Sequence, residues 1–175
     1  MPSDIRGATP ADARRRATPA DARQFATPAD AVVVRPATSA DLAEILGDLP
    51  AFWGDRDVRH LHHPMFVHEF GDTAFVAHGP AGVGGYLFGF VTPAGVGYVH
   101  TVAVRLALRG SGLGRLLHET FAAAALARGA TSRKAITTPA NAASIRFHER
   151  LGFTTEVVAD YSGPGQARVV LTAPL

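Results

Sequence analysis

Cysteine is absent from the 175 residues. This excludes disulfides, thiolate metal sites and any covalent cysteine intermediate, and it fits a cytoplasmic location. Lysine is almost absent: Lys134 stands alone, every other basic residue is arginine, and the net charge is only +2. No basic stripe interleaved with aromatics occurs outside Arg14-Arg15-Arg16, so nucleic acid is not an expected partner. Long apolar runs are lacking too. Gly, Pro or charged residues interrupt each stretch before the roughly 20 residues a membrane helix needs, so no membrane partner is expected. The N-terminal stretch has no apolar secretory core, so export is not expected. What is present, 47% hydrophobic residues, suits one domain with a substantial core.

The first thirty residues repeat on themselves: ATPADARRR begins at Ala8, ATPADARQF at Ala17 and ATPADAVVV at Ala26, with a degenerate copy over Pro36 to Asp41. So short a period, rich in Ala and Pro, cannot bury a core, and residues 1–31 read as a disordered tail. Residues 32–175 read as the folded domain. A strand begins at Val32. Ser39 is the expected cap of a helix through Leu49, with Leu42, Ile45, Leu46 and Leu49 at helical spacing. Residues 50–72 suggest a helix and loops. Strands follow at 73–78, 85–92 and 97–104, the last with Val99, Thr101 and Ala103 on one face and Tyr98, His100, Val102 and Val104 on the other. Then come a helix over 111–128, a strand over 133–138, a helix over 141–151 and a final strand pair. Meander strands followed by β-α-β-α-β give an α/β chain of the α+β type, a mixed sheet with helices on its faces.

Strand 97–104 runs through a short connection into Arg109-Gly110-Ser111-Gly112-Leu113-Gly114 and then a long helix. Glycines let backbone amides turn inward, and at a helix N-terminus those amides and the dipole suit a diphosphate. Arg109 can fork onto phosphate oxygens, with Arg115 in reach. A P-loop would need Gly-Lys-Ser/Thr, which Leu113-Gly114-Arg115 does not supply. A dinucleotide fold wants GxGxxG and an acidic residue about 20 positions on, where this chain has ATSRKA.

Two segments then resemble the GNAT family of N-acetyltransferases. Val104 to Gly114 follows its pattern Val-x-x-x-x-Arg/Gln-x-x-Gly-x-Gly/Ala. Asn141-Ala142-Ala143-Ser144-Ile145-Arg146-Phe147-His148-Glu149-Arg150-Leu151-Gly152-Phe153 follows its second segment, Asn-x-x-Ala/Ser-x-x-Phe-Tyr-x-x-x-Gly-Phe, except that histidine replaces tyrosine. The resemblance implies a mixed, mostly antiparallel sheet of about six or seven strands flanked by about four helices, splayed between the fourth and fifth strands. It implies acetyl-coenzyme A as acyl donor, its diphosphate on Arg109, Gly110, Ser111, Gly112, Leu113, Gly114 and Arg115. The pantetheine arm would lie along the backbone of Val102, Ala103 and Val104, and a primary amine of a small molecule would attack the thioester directly. A homodimer is compatible with it.

At about 100° per residue, Asn141, Ser144 and His148 form one polar stripe that can face the cofactor, and Asn141 can also cap the helix. His148 stands where the family's tyrosine protonates the leaving thiolate and is the candidate general acid, with Tyr161 as substitute. His100 is the candidate general base, through its shared parity with Val102. Trp53, Phe66, Glu69 and Asp72 are pocket candidates for the acceptor. His60, His62, His63 and His68 lack HExxH spacing, and no metal is expected. The alternatives are acetylation of protein N-termini or aminoacyl-tRNA, and an inactive acyl-coenzyme A-binding regulatory module.

Overall fold

The computed structural model describes residues 32–175; the repeated segment 1–31, expected as a tail, lies outside the described residues. Strand β1 (Val33–Pro36) leads into helix α1 (Ser39–Gly47), then α2 (Leu49–Trp53) and α3 (Met65–His68), with single 3₁₀ turns at Arg59–Leu61 and Gly71–Thr73. The meander β2 (Ala74–Gly79), β3 (Gly82–Val91) and β4 (Val96–Val104) follows, then a 3₁₀ turn at Leu106–Leu108 and helix α4 (Leu113–Ala127). The chain closes with β5 (Ser132–Thr137), α5 (Ala142–Glu149), β6 (Thr154–Val158) and β7 (Arg168–Pro174).

Helix α1 begins one residue earlier than the expected Ser39 cap. Thr38 is the cap, because its hydroxyl accepts the Asp41 N–H while the Asp41 carboxylate accepts the Thr38 N–H at 2.8 Å. Arg35 forks onto the same carboxylate at 2.7 and 2.8 Å. Burial alone would raise the Asp41 carboxyl, but the hydrogen bonds from Arg35 and Thr38 outweigh it and hold the group at about 2. Asp41→Ala removes the reciprocal cap and the carboxylate that pairs with Arg35. It is expected to cost about 2 kcal/mol in urea unfolding at neutral pH. The helix stops at Gly47 rather than Leu49. Pro50 sits in the first turn of α2 and has no N–H to carry the α1 ladder onward. The segment expected to be one helix with loops therefore contributes two short helices, giving five in all among the described residues.

The seven strands form one sheet in the order β1-β2-β3-β4-β5-β7-β6, antiparallel throughout except for the parallel pair β4–β5. A parallel neighbour needs a crossover, and α4 supplies it. Helices α1 to α3 cover one face with a core that includes Leu42, Ile45, Phe52, Phe66, Tyr86 and Phe88. The other face carries α4 and α5 over Leu117, Phe121, Ala125, Phe153 and Leu171.

Two irregularities in β4 prepare the site. Phe88 pairs with Thr101 but Gly89 pairs with Val99, so His100 is the extra residue of a β-bulge. The bulge overturns the simple alternation expected along this strand. Val99 and Val102 pack toward α4, whereas His100 stacks on Phe66 of α3 and Ala103 joins the core of that face. The second irregularity is a divergence. Strand β5 pairs with β4 only from Val96 to Val99, and then continues along β7 through Ile136 and Thr137. Beyond Val99 the β5-side edge of β4 pairs with no strand among the described residues.

Candidate functional site

The diverging strands open a wedge, and the 109–114 turn closes one end of it. Gly112 is the N-cap of α4 at φ 91° and makes no side-chain cap. A left-handed cap of this kind suits glycine, and with no capping side chain the first N–H groups of α4 stay available to an anion. Gly114 serves packing. A Cβ there would stand 3.0 Å from the Phe147 ring, so glycine lets α5 approach the start of α4 without displacing that ring. Arg109 braces the turn, its Nη2 donating to the Phe52 carbonyl at 2.9 Å. Arg115 lies on the exposed first turn, with Nη2 3.3 Å from the Arg150 carbonyl and Nη1 3.9 Å from Glu119.

On the far side of the wedge, Asn141 caps α5. Its Oδ1 accepts the Ser144 N–H at 3.4 Å and its Nδ2 donates to Thr137 at 2.9 Å, tying the free end of β5 to the helix. His148 is only 3% exposed. Its Nδ1 lies 2.8 Å from the Ser144 carbonyl, so Nδ1 carries the proton and donates within its own helix. Nε2 is then a bare lone pair with no partner among the described residues. Burial lowers the imidazole below its ordinary value, against the backbone hydrogen bond, and Arg133 lowers it further. A neutral ring whose only N–H is committed to a carbonyl is an acceptor rather than an acid.

His100 has the complementary arrangement at the mouth of the wedge. Its Nε2 donates to the Leu61 carbonyl at 3.1 Å, its ring stacks on Phe66 at 4.5 Å, and it is half-buried. Burial again lowers its pKa. The neutral ring therefore presents Nδ1 as a lone pair with no hydrogen-bond partner among the described residues.

The other sequence candidates separate. Phe66 is buried beneath His100. Trp53 donates to the Tyr86 hydroxyl at 2.6 Å, and that hydroxyl lies 2.7 Å from His62 Nε2, while His62 Nδ1 donates to the Val58 carbonyl at 2.9 Å. Each polar atom of this buried chain has a partner, which makes Trp53 a brace of the core as well as a wall. Asp72 does not join the pocket. It pairs with Arg128 just beyond the end of α4. Glu69 is exposed at the end of α3. Tyr161 lies partly exposed between β6 and β7, with the Lys134 Nζ 5.3 Å over its ring. Among the described residues, no group of three His, Cys, Asp or Glu residues can hold a metal ion. No helix among them is long and apolar enough to cross a membrane.

Sequence reasoning passed over a polar cluster on the α4–α5 face. His118 of α4 is fully buried, and its ring meets His148, Phe147 and Phe153 at 5.1, 5.5 and 5.8 Å. Neither His118 nitrogen has a hydrogen-bond partner among the described residues, nor does Nε of Arg133, whose guanidinium lies 4.9 Å over Phe153. The signal was readable: His118, Phe121 and Ala125 share the helical spacing of a buried stripe.

The wedge, the amide-rich turn and the two helices around them can be set beside known proteins. The sequence model of the acetyltransferase (GNAT) family matches residues 40–153. The chain belongs to the GNAT acetyltransferase family. Among solved GNAT-like structures, Ard1 from Thermoplasma volcanium is 16% identical, with a TM-score of 0.71 over 83% of this chain and 98% of its own. The putative acetyltransferase yncA from Salmonella typhimurium, solved with its cofactor acetyl-CoA, is 24% identical with a TM-score of 0.64, covering 82% of this chain and 94% of its own. The ribosomal-protein-S18-alanine N-acetyltransferase from Escherichia coli is 17% identical with a TM-score of 0.61, covering 82% and 93%. At these identities the likeness shows the GNAT fold. No curated protein matches the chain in sequence.

Proposed function

We propose that this GNAT protein is an N-acetyltransferase that moves an acetyl group from acetyl-coenzyme A to the primary amine of a small molecule. The observation that carries the reading is the unpaired edge of β4 after Val99, which leads directly into the glycine-capped N-terminus of α4. An extended pantetheine arm can hydrogen-bond to Val102, Ala103 and Val104 as a further strand would, while the Gly110 amide and the Gly112–Arg115 amides at the start of α4 receive the diphosphate. Arg109 holds the turn in shape from behind, and Asn141 and Ser144 line the opposite wall. Ser111 is exposed and close enough to the cap to contact phosphate.

His100 acts as the base. Its Nδ1 takes the proton from the attacking ammonium or from an intervening water. The amine nitrogen bonds to the thioester carbon, backbone N–H donation near Val102 stabilises the oxyanion, and the carbon–sulfur bond breaks to release thiolate. His148 is the family's acid position, but its N–H is spent on Ser144, so the thiolate departs without a protein acid. His148→Asn keeps a donor toward the Ser144 carbonyl and is expected to hold kcat within about threefold of the parent. A loss of a hundredfold or more with unchanged folding would restore the general-acid role.

The test of the reading is thiol release from acetyl-coenzyme A across amino acids, arylalkylamines, polyamines, aminoglycosides and short peptides. Amine-dependent release is expected, and His100→Ala should lower kcat/KM by about 100-fold near neutrality. The lowered pKa of His100 fixes the sign. Its contribution is present above that value and is lost as pH falls through a point below 6.5. The alanine variant should recover partly at high pH, where the amine itself is uncharged. Thiol release that is independent of every amine would count against transfer.

A further inference from the structure

The face of the sheet on which His100 opens is built of aromatic rings. Phe66 and Phe70 lie 6.2 Å apart, Phe70 and Phe90 5.3 Å, and Phe90 and Tyr98 5.2 Å, forming a continuous shelf beside the histidine. Phe70, Phe90 and Tyr98 are each half-buried, so the shelf keeps open ring surface at the point where β4 and β5 part. Its charge is unusual for a site meant to take a cationic substrate. Tyr98 pairs across the strands with Lys134, the only lysine of the chain, whose ammonium lies over Tyr161. Among the described residues, the titratable groups that act with His100 and Tyr98 are His60, His62 and Tyr161, and none is a carboxylate. Asp160, in the loop after β6, accepts the Gly165 N–H through Oδ1 at 2.7 Å, and Glu69 is exposed at the end of α3.

This inference rests on the transfer reading above. We infer that the acceptor is an aromatic primary monoamine, its ring on the Phe70–Phe90–Tyr98 shelf and its amine at His100. Flat rings offer a large apolar area and edge or face contacts to another ring, and they tolerate a single ammonium nearby. A polyamine or aminoglycoside brings further ammonium groups, which need carboxylates to hold them. Here they meet Lys134 instead, and like charges in a partly buried site repel.

Steady-state thiol release with acetyl-coenzyme A, 2-phenylethylamine, spermidine and an alanine-initiated peptide tests this. The expected kcat/KM for 2-phenylethylamine exceeds that for spermidine by about tenfold or more. Lys134→Glu should narrow that ratio by about tenfold, mainly by lowering the KM for spermidine. Tyr98→Leu should raise the KM for 2-phenylethylamine with kcat little changed, read on a variant whose thermal midpoint is close to the parent's. Preference of the parent protein for spermidine or for the peptide, or a ratio indifferent to Lys134→Glu, overturns the inference. If no amine releases thiol, the transfer reading has failed separately. Calorimetric titration of 2-phenylethylamine against spermidine then decides the shelf alone: tighter binding of the aromatic amine supports it, and equal or weaker binding overturns it.

Discussion

Ser111→Asp is expected to weaken acetyl-coenzyme A binding by roughly 100-fold while leaving the fold intact. Ser111 is exposed, immediately before the left-handed cap Gly112, and its N–H reaches the Leu108 carbonyl at 3.3 Å. A carboxylate there would stand about 5 Å from a diphosphate held by the first amides of α4. At an effective dielectric constant near 20 that repulsion is roughly 3 kcal/mol, or about two orders of magnitude in affinity. The same negative charge is favourable to the helix N-terminus, so thermal stability should hold or rise slightly without the cofactor. Calorimetric titration of both proteins, with melting curves for each, separates the two effects. Equal affinities would mean that the diphosphate does not use this turn.

The second large effect concerns stability and acid. His118 is enclosed by Phe147, His148 and Phe153, and burial first, then the charges of His148 and Arg133, lower its pKa to about 3 from 6.5. A group with a depressed base pKa binds fewer protons folded than unfolded between those values. Its contribution is therefore complete above about 6.5 and is lost as pH falls from there toward 3. At pH 5 the loss from this residue alone is about 2 kcal/mol. His118→Leu has a similar volume and removes two buried nitrogens that have no partner among the described residues. It should stabilise the protein by about 1–2 kcal/mol at pH 7, and by about 2 kcal/mol more at pH 5. His62, His100 and His148 are also lowered by burial, so the variant keeps part of its acid sensitivity. Urea unfolding at the two pH values measures this. A variant no more stable than the parent at pH 5 would mean that His118 is solvated or paired in solution.

The strands and the turn were legible because their signals are local. Short apolar and aromatic runs bounded by glycine mark β2 and β3, β-branched residues mark β4, and the glycines between β4 and α4 mark a backbone that can bend toward a ligand. The bulge at His100 was not legible, since Val99, Thr101 and Ala103 alternate without interruption. The extra residue appears only in the pairing with Phe88 and Gly89 of β3. It changes the chemistry, because it turns His100 away from Val102 and onto Phe66. Asp72 was misplaced for the same kind of reason. Its partner Arg128 lies 56 positions on, where no spacing rule reaches. The reversal at His148 came from a single hydrogen bond within α5. An imidazole at the family's tyrosine position suggested a donor toward the cofactor, and the Ser144 carbonyl accepts its N–H instead. In each case the residue type was readable and its direction was not, because direction depends on neighbours distant in sequence or on one torsion of the side chain.

Hydrogen–deuterium exchange of the full chain with and without acetyl-coenzyme A tests the central claim most directly. The claim is that the free edge of β4 and the capped start of α4 together form the acyl-donor site. Slowed exchange is expected in peptides covering Val102–Val104 and Gly110–Arg115, with little change along β1 and β2. Protection confined to other segments, or none at saturating acetyl-coenzyme A, would contradict it.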